Sequence, residues 1–310
     1  MVTVRVAKMP PTKKSGTVSD SFKSETALAP AKVNLTLRIV GRRADGYHEL
    51  ESLVAFAPFG DRLTFRPGMP LDLAVSGPTA AGAGPLADNL VLRAVRALAE
   101  RIDGLALGRF ALIKRLPAGA GLGGGSADAA AALRLVAKAN HLALDDARVH
   151  DAARVTGADI PVCLAPRPRI MRGIGEILSA PLRLPKLGIL VVHPGVAVPT
   201  GPVFKALGLA PGARCAPSAA ATVPAEREAL LAWLASERND LEAAAITIAP
   251  PIADVLGAIA HTAGCRLARM SGSGSACFGL FNSGSAATAA ARRLAAAHPA
   301  WWARAGRIGD

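Results

Sequence analysis

The most chemically informative stretch of this 310-residue chain is LPAGAGLGGGSADAA at positions 116–130. Five glycines fall within seven residues there: Gly119, Gly121, Gly123, Gly124 and Gly125. Glycine admits positive φ and lets a backbone come close to a ligand. The alanine-rich run that follows has a helical composition, and a helix N-terminus offers free N–H groups and the positive end of its dipole. Loop and helix start together make a seat for phosphate. Pro117, Ala118, Gly119, Ala120, Gly121, Leu122, Gly123, Gly124, Gly125, Ser126 and Ala127 are therefore candidate nucleotide contacts, with Ser126 placed to cap the helix. A Walker loop would put Lys directly after the glycines, but Ser126 stands there and the next lysine downstream is Lys138. Gly119, Gly121 and Gly124 match a dinucleotide fingerprint, with Asp145 as its ribose acid. That is the weaker reading, because the loop follows short, hairpin-like strands instead of opening a parallel βαβ unit. A protein-kinase loop would need an H-R-D-type catalytic segment, which the sequence lacks. A purely structural turn would bear the entropy cost of five glycines with no ligand to offset it.

Phosphoryl transfer to an alcohol needs positioning, charge neutralisation and a group for the hydroxyl proton. Asp159, in GADIP at 157–161, is an acid among apolar neighbours and suits that last task. Lys32 is a cation able to hold such an acid ionised and to stabilise charge at the reacting oxygen. Taken alone, a turn or cap acid and an exposed strand lysine are the simpler readings. Asn34 follows Lys32 by two residues, so strand alternation puts both on one face. Tyr47 and His48 offer an aromatic face and an imidazole to a nucleobase, or else close the turn after Gly46. Phe204 is a second stacking ring or a core residue.

The elements that must hold these groups are legible in outline. Val33, Leu35, Leu37 and Ile39 alternate with polar residues as one strand, ended by a turn at 41–46. Further short strands are expected at 53–56, 61–65 and 71–75. Leu90, Val91, Val95 and Leu98 have helical spacing, with Asp88 or Asn89 as cap. A strand at 110–116 delivers the glycine loop, a helix runs from it to about 140, and another lies near 145–155. Strand signals resume at 187–193 after a proline-punctuated stretch, which sets a domain boundary at 182/183. The second half carries a low-complexity loop at 210–225, and helices at 226–236, 240–248, 252–262 and 285–297. A Gly-Ser turn, Ser271, Gly272, Ser273 and Gly274, enters a strand. Residues 1–26, with Lys8, Lys13, Lys14 and Lys23, read as a loosely ordered basic leader, in which 2–6 alternate like a short strand.

Composition excludes some function classes. A hydrophobic content of 51% with 19% charged residues describes a folded globular protein, not a disordered one. The net charge of +13 invites a nucleic-acid reading. The basic residues are scattered, however, without aromatic interleaving, and a surface that attracts polyanionic small molecules is preferred. The alanine runs are assigned no mechanistic part. Cys163, Cys215, Cys265 and Cys277 form no C-x-x-C pair and read as ordinary thiols of a reducing compartment. No apolar run approaches the roughly 18 residues of a membrane span, and no signal-peptide core is present. The cytoplasm is the expected location, with no nucleic-acid or membrane partner; the oligomeric state is not legible.

Four motifs then carry a resemblance: PAKVNL at 30–35, GRRADGYH at 41–48, the glycine stretch, and SGSGSA at 271–276. In this order they resemble the galactokinase, homoserine kinase, mevalonate kinase and phosphomevalonate kinase (GHMP) superfamily. The first two narrow the likeness to its 4-diphosphocytidyl-2-C-methyl-D-erythritol kinases. The resemblance covers about residue 29 to the C-terminus. It implies an α+β, two-domain architecture. An N-terminal ATP-binding domain like domain 2 of ribosomal protein S5 spans 27–182, and a C-terminal α/β-plait-like domain spans 183–310. It implies ATP with Mg²⁺ as cofactors and a cytidine diphosphate derivative as substrate. It also implies Lys32 and Asp159 as the catalytic pair, Asn34 beside the substrate, and Tyr47, His48 and Phe204 around the cytidine. The Ser271–Gly274 turn is a supporting element. Other branches, of homoserine or mevalonate type, or a basic nucleic-acid binder on a degenerate kinase fold, are the alternatives. The chain departs from the family pattern at Ala127, where a second serine is common, and at 167–172, where a small G-x-A-type pattern is usual.

Overall fold

A computed structural model describes residues 23–215 and 222–309. The expected strand at 2–6, Lys8, Lys13 and Lys14 of the leader, and residues 216–221 of the low-complexity loop lie outside the described residues.

The spine of the first sheet is β3 (His48–Pro67), a 20-residue strand where two short ones were expected. Apolar residues recur along it on one side, so that Leu63 and Phe65 are buried while Arg62 and Arg66 face water. Its length lets it pair antiparallel with β1 (Glu25–Asn34), β2 (Arg38–Arg42), β5 (Gly108–Ile113) and β6 (Arg169–Gly173). β4 (Asp72–Ser76) adds parallel to β5, and β7 (Ile177–Leu178) closes the other edge on β6. The single strand expected over 33–39 is two strands. Between them the Leu37 N–H turns away to donate to the Arg238 carbonyl at 2.9 Å, in the other half of the chain. The atypical 167–172 segment is largely strand β6, with Arg172 paired to Glu51 of β3 at 2.6 Å.

Four helices cover this sheet: α1 (Leu90–Ala99), α2 (Gly124–Ala139), α3 (Ala147–Thr156) and α4 (Ile160–Leu164). Asn89, not Asp88, caps α1 through its side chain, which accepts from the Val91 N–H. The alanines of α2 have a part after all. Ala127, Ala129, Ala130, Ala131, Ala132 and Ala137 are fully buried, and α2 packs at once against α1, α4, β1 and β3. Only small side chains let one helix be enclosed on so many sides at interior packing density. The helix that follows the glycine loop is therefore immobilised by its surroundings.

The second sheet has the order β11-β8-β10-β9 and is antiparallel throughout. Its strands are β8 (Leu187–His193), β9 (Cys265–Met270), β10 (Cys277–Phe281) and β11 (Trp302–Ile308). Neither β9 nor β11 was expected. α5 (Thr200–Lys205), α6 (Arg227–Ser236), α7 (Glu242–Ile248) and α8 (Pro251–Ala260) lie between β8 and β9, and α9 (Gly284–Ala297) lies between β10 and β11. Every residue of β8 is buried, as a continuous apolar run requires when both faces of a strand are covered. Leu190 and Val192 join the core that contains Ile252, Val255 and Leu294 of α8 and α9. Leu187, Ile189 and Val191 join Val33, Leu35 and Leu53 of the first half. The two halves thus share an interior. Among the described residues no helix is long and apolar enough to cross a membrane, and the four cysteines are free thiols.

His193 ends β8 in this interior. Its Nδ1 accepts from the Gly195 N–H at 3.1 Å, and its buried Nε2 has no partner among the described residues. Burial pushes its pKa down to about 4, so the imidazole is neutral in the fold. The unfolded chain takes up a proton near pH 6.5, which the fold refuses until about pH 4. Stability is therefore expected to fall as pH drops through that window. Melting temperatures between pH 7 and 4.5 should show a shallower decline for His193→Gln than for the wild type; parallel curves would exclude this source of acid sensitivity.

Candidate active site

A cavity of about 630 Å³ lies between the glycine loop, the end of β1, the start of α4 and the Gly-Ser turn. Its size is that of a typical small-molecule site. The loop reaches β1 through one backbone bond, Lys32 N–H to the Leu122 carbonyl at 2.9 Å. Directly after it, Gly123 adopts φ 63° and passes so close to Lys32 that a Cβ there would stand 3.1 Å from Lys32 Cε. Gly123 is also the N-cap residue just before α2, and no side chain caps that end. Ser126 is thus not the cap; it lies in the first turn, on the cavity wall. The first-turn N–H groups are left without a side-chain acceptor, which is the arrangement an anion requires. Pro117 through Ser126 line the cavity. Ala127 does not. It is fully buried in the core, and its N–H is bonded to the Gly123 carbonyl at 2.8 Å, so neither its side chain nor its amide reaches a ligand.

Lys32 is 4% exposed, and its ammonium lies 3.2 Å from Asp159 Oδ2 and 3.2 Å from Asn34 Oδ1. Asp159 sits where a cap for α4 would sit, yet makes no capping bond. Its carboxylate is accordingly free for Lys32, and at 38% side-chain exposure it also faces the opening. The simpler readings of these two residues, an exposed strand lysine and a cap acid, do not hold. Asn34 is held in turn, its amide donating to Ser52 Oγ at 2.7 Å. The Ser52 hydroxyl in turn donates to the Thr36 carbonyl at 2.5 Å. Ser52 and Thr36 are neighbours in space on β3 and the β1–β2 turn but far apart in the chain, and no local motif marks them.

The expected nucleobase readers divide. The ring of His48 lies 5.0 Å from that of Phe204, tilted by 40°, so these two come together from opposite halves. Burial and the nearby Arg42 guanidinium lower the His48 pKa below its ordinary value, and its Nε2 is buried without a partner among the described residues. Phe204 lines the cavity, whereas neither His48 nor Tyr47 does, and Tyr47 stands 61% exposed. Of the Gly-Ser turn, Gly272 and Ser273 line the cavity. Ser271 Oγ accepts from the Asn34 N–H at 3.1 Å and donates to the Gly121 carbonyl at 3.3 Å.

Beneath the loop lies a charge cluster that the motifs did not announce. Lys114 donates to Asp61 at 2.5 Å and to Asp128 at 2.7 Å, all three side chains being buried. Asp61 also accepts the Arg115 and Leu116 N–H groups, which fixes the chain where it enters the loop. Burial pushes the Asp128 pKa up to about 7 against the pull of Lys114, while Lys114 itself is held above the usual lysine value because its two carboxylates outweigh its desolvation. A phosphate-binding lysine is sought downstream of a glycine loop; the buried lysine here stands upstream, and its ammonium is held between two carboxylates. Asp128 accepts from Lys114 through one oxygen, and both residues also lie on the cavity wall.

The model for the GHMP kinase N-terminal domain matches residues 89–166, and that for the GHMP kinase C-terminal domain matches residues 221–300. The 4-diphosphocytidyl-2-C-methyl-D-erythritol kinase of Methylobacterium radiotolerans is 59% identical over 277 residues, covering 88% of this chain and 95% of that one. The kinase of the same name from Xanthobacter autotrophicus is 57% identical over 90% of this chain and 97% of its own length. A crystal structure of a 4-(cytidine 5'-diphospho)-2C-methyl-D-erythritol kinase superposes with a TM-score of 0.72 at 37% identity, covering 92% of this chain and all of that one. Homoserine kinase from Cytophaga hutchinsonii shares the fold, with a TM-score of 0.64 at 18% identity over 96% of this chain and 97% of its own. With identity of this extent running through both halves of the fold, the chain belongs to the 4-diphosphocytidyl-2-C-methyl-D-erythritol kinase family of the GHMP kinases.

Proposed function

We propose that this chain transfers the γ-phosphoryl group of ATP to the 2-hydroxyl of 4-diphosphocytidyl-2-C-methyl-D-erythritol. The products are the 2-phosphate and ADP, in the methylerythritol phosphate route to isopentenyl diphosphate. The observation that carries the mechanism is the Lys32–Asp159 pair, 3.2 Å apart on the wall of the cavity that the glycine loop also lines. Asp159 takes the proton of the substrate hydroxyl as its oxygen bonds to the γ-phosphorus and the bond to the β–γ bridging oxygen breaks. Lys32, steadied by Asn34, keeps Asp159 ionised and offsets the negative charge that builds on the attacking oxygen. The loop from Pro117 to Ser126 and the open end of α2 receive the phosphates.

Mg²⁺ fits this site as an ion held mainly by nucleotide and water, the habit of that cation. Among the described residues no three acidic, His or Cys side chains form a metal cluster, and Ser126 is the loop's own side-chain oxygen on the cavity wall. When bound, the ion neutralises triphosphate charge. At the far end, His48 and Phe204 receive the cytosine. A neutral imidazole has one donor and one acceptor for the edge of the base, and the Phe204 ring offers a face for stacking. Tyr47, exposed and off the cavity wall, is assigned to this end of the site by its place next to His48. We assign residues 27–182 to the ATP-binding domain and 183–310 to the second domain, and place the activity in the cytoplasm.

The glycines are required for different reasons. At Gly121, φ is 71°, and a Cβ would stand 2.6 Å from the Ser271 carbonyl oxygen and 2.8 Å from that of Gly274. Gly121→Ala should therefore cost more than the roughly 1–2 kcal/mol of the left-handed backbone alone. It should also raise the KM for ATP by pushing loop and turn apart; calorimetric unfolding and initial rates check both.

Purified protein with ATP, Mg²⁺ and the diphosphocytidyl substrate should release ADP. Turnover on homoserine or mevalonate in its place would move the assignment to another branch. Asp159→Asn should bind ATP nearly as the wild type does and lose roughly 10²–10⁴-fold in kcat. Unchanged kcat would remove Asp159 from the mechanism.

A further inference from the structure

The segment at 238–242, between α6 and α7, makes an unusual set of polar contacts for a connecting stretch. On one side it is stitched to the β1–β2 junction. The Arg238 carbonyl accepts from Leu37 N–H at 2.9 Å, and the Asp240 N–H donates to the Leu37 carbonyl at 2.9 Å. Asp240 Oδ2 accepts from Ile39 N–H at 2.7 Å. On the other side it grips the Gly-Ser turn. Glu242 accepts from the Met270 N–H at 2.8 Å. Asn239, 7% exposed, donates both hydrogens of its amide, to the Met270 carbonyl at 2.9 Å and the Gly272 carbonyl at 2.8 Å. Its own oxygen accepts from the Leu241 N–H at 3.0 Å. Aspartate has the same shape but only acceptors, and a hydroxyl has one donor, so neither satisfies both carbonyls.

The turn held in this way touches the glycine loop, the end of β1 beside Lys32 and the helix that carries Phe204. Ser271 bonds to both Asn34 and Gly121, and the Ala276 N–H donates to the Ala120 carbonyl at 3.0 Å. Ser273 Oγ lies 3.0 Å from Thr200 Oγ1, at the start of the helix that carries Phe204. The seat for the donor phosphates and the wall for the acceptor therefore meet at one turn, and Asn239 fixes that turn from behind.

We infer that Asn239 is a positioning residue for the transfer: it sets the spacing between the phosphate-holding loop and the Lys32–Asp159 pair without touching either substrate. The inference rests on the kinase reading above. Misplacement by about 1 Å is enough to cost roughly 10²-fold in rate while leaving the separate binding contacts in place.

Asn239→Asp should accordingly lower kcat by about 10²-fold, with each KM changed by less than about threefold. Asn239→Gln, which keeps both donors one methylene further out, should recover part of the loss. Ser271→Ala acts through the same turn, so the Asn239→Asp, Ser271→Ala double variant should lose no more than the worse single variant. Rates are normalised to folded protein by circular dichroism. A fall in kcat that merely follows the folded fraction, independent losses that multiply in the double variant, or a full-rate Asn239→Asp would each overturn the inference. If Asn239→Asp does not fold, the glutamine variant and its cycle with Ser271→Ala carry the test. The ratios are read on whichever alcohol acceptor the wild type turns over, so failure of the proposed substrate is visible in the wild type alone and leaves the Asn239 comparison intact.

Discussion

Everything at this site depends on the glycine loop lying directly on β1. The Lys32 N–H bonds to the Leu122 carbonyl, and Gly123 follows at positive φ, where a Cβ would stand 3.1 Å from the Lys32 side chain. That single approach puts the side chain of Lys32 against the glycine loop, with its ammonium 3.2 Å from Asp159. It also explains why several surrounding features exist. α2 starts at once after the contact and is clamped by its alanines. Lys114 and its two acids hold the entry to the loop, and the Gly-Ser turn holds its middle through Gly121. Each is a means of keeping one stretch of backbone at a fixed height over one strand.

The charges around the cavity form two groups. Lys32 and Asp159 are the first, with a carboxylate open to solvent on one side. Asp61, Lys114 and Asp128 are the second: Asp61 holds the backbone that enters the loop, while Lys114 and Asp128 also reach the cavity wall. Buried ion clusters of this kind contribute little net stability, because desolvation offsets attraction. Their value here is geometric: two carboxylates from β3 and α2 converge on one ammonium at the end of β5, and the loop leaves from that point in one direction only.

Much of the site was legible because its chemistry is local in sequence. The glycine stretch, the Lys32–Asn34 alternation and the Gly-Ser turn are short patterns with a direct physical meaning, and the helices α1, α2, α3 and α6 fell close to their periodicity. What escaped was set by tertiary partners. Two short strand signals at 53–56 and 61–65 are one strand because four others pair along it. The apparent strand over 33–39 breaks because Leu37 bonds to the opposite half. β9 and β11 carry arginines and tryptophans where alternation is weak, and they become strands only against β10 and β8. Ser126 looked like a cap because serine prefers that position, but the left-handed Gly123 made the turn tighter. Asn239 and Lys114 had no signal at all: their meaning lies in carbonyls and carboxylates that only the fold brings near.

The strand β8, covered on both faces, has a consequence for how molecules enter and leave. Its odd-numbered residues pack with Val33, Leu35 and Leu53, so the seam between the halves is filled with side chains. Parting that seam would expose its apolar surface to water, which is unfavourable. The opening beside the exposed carboxylate of Asp159 is the route that leaves the seam intact.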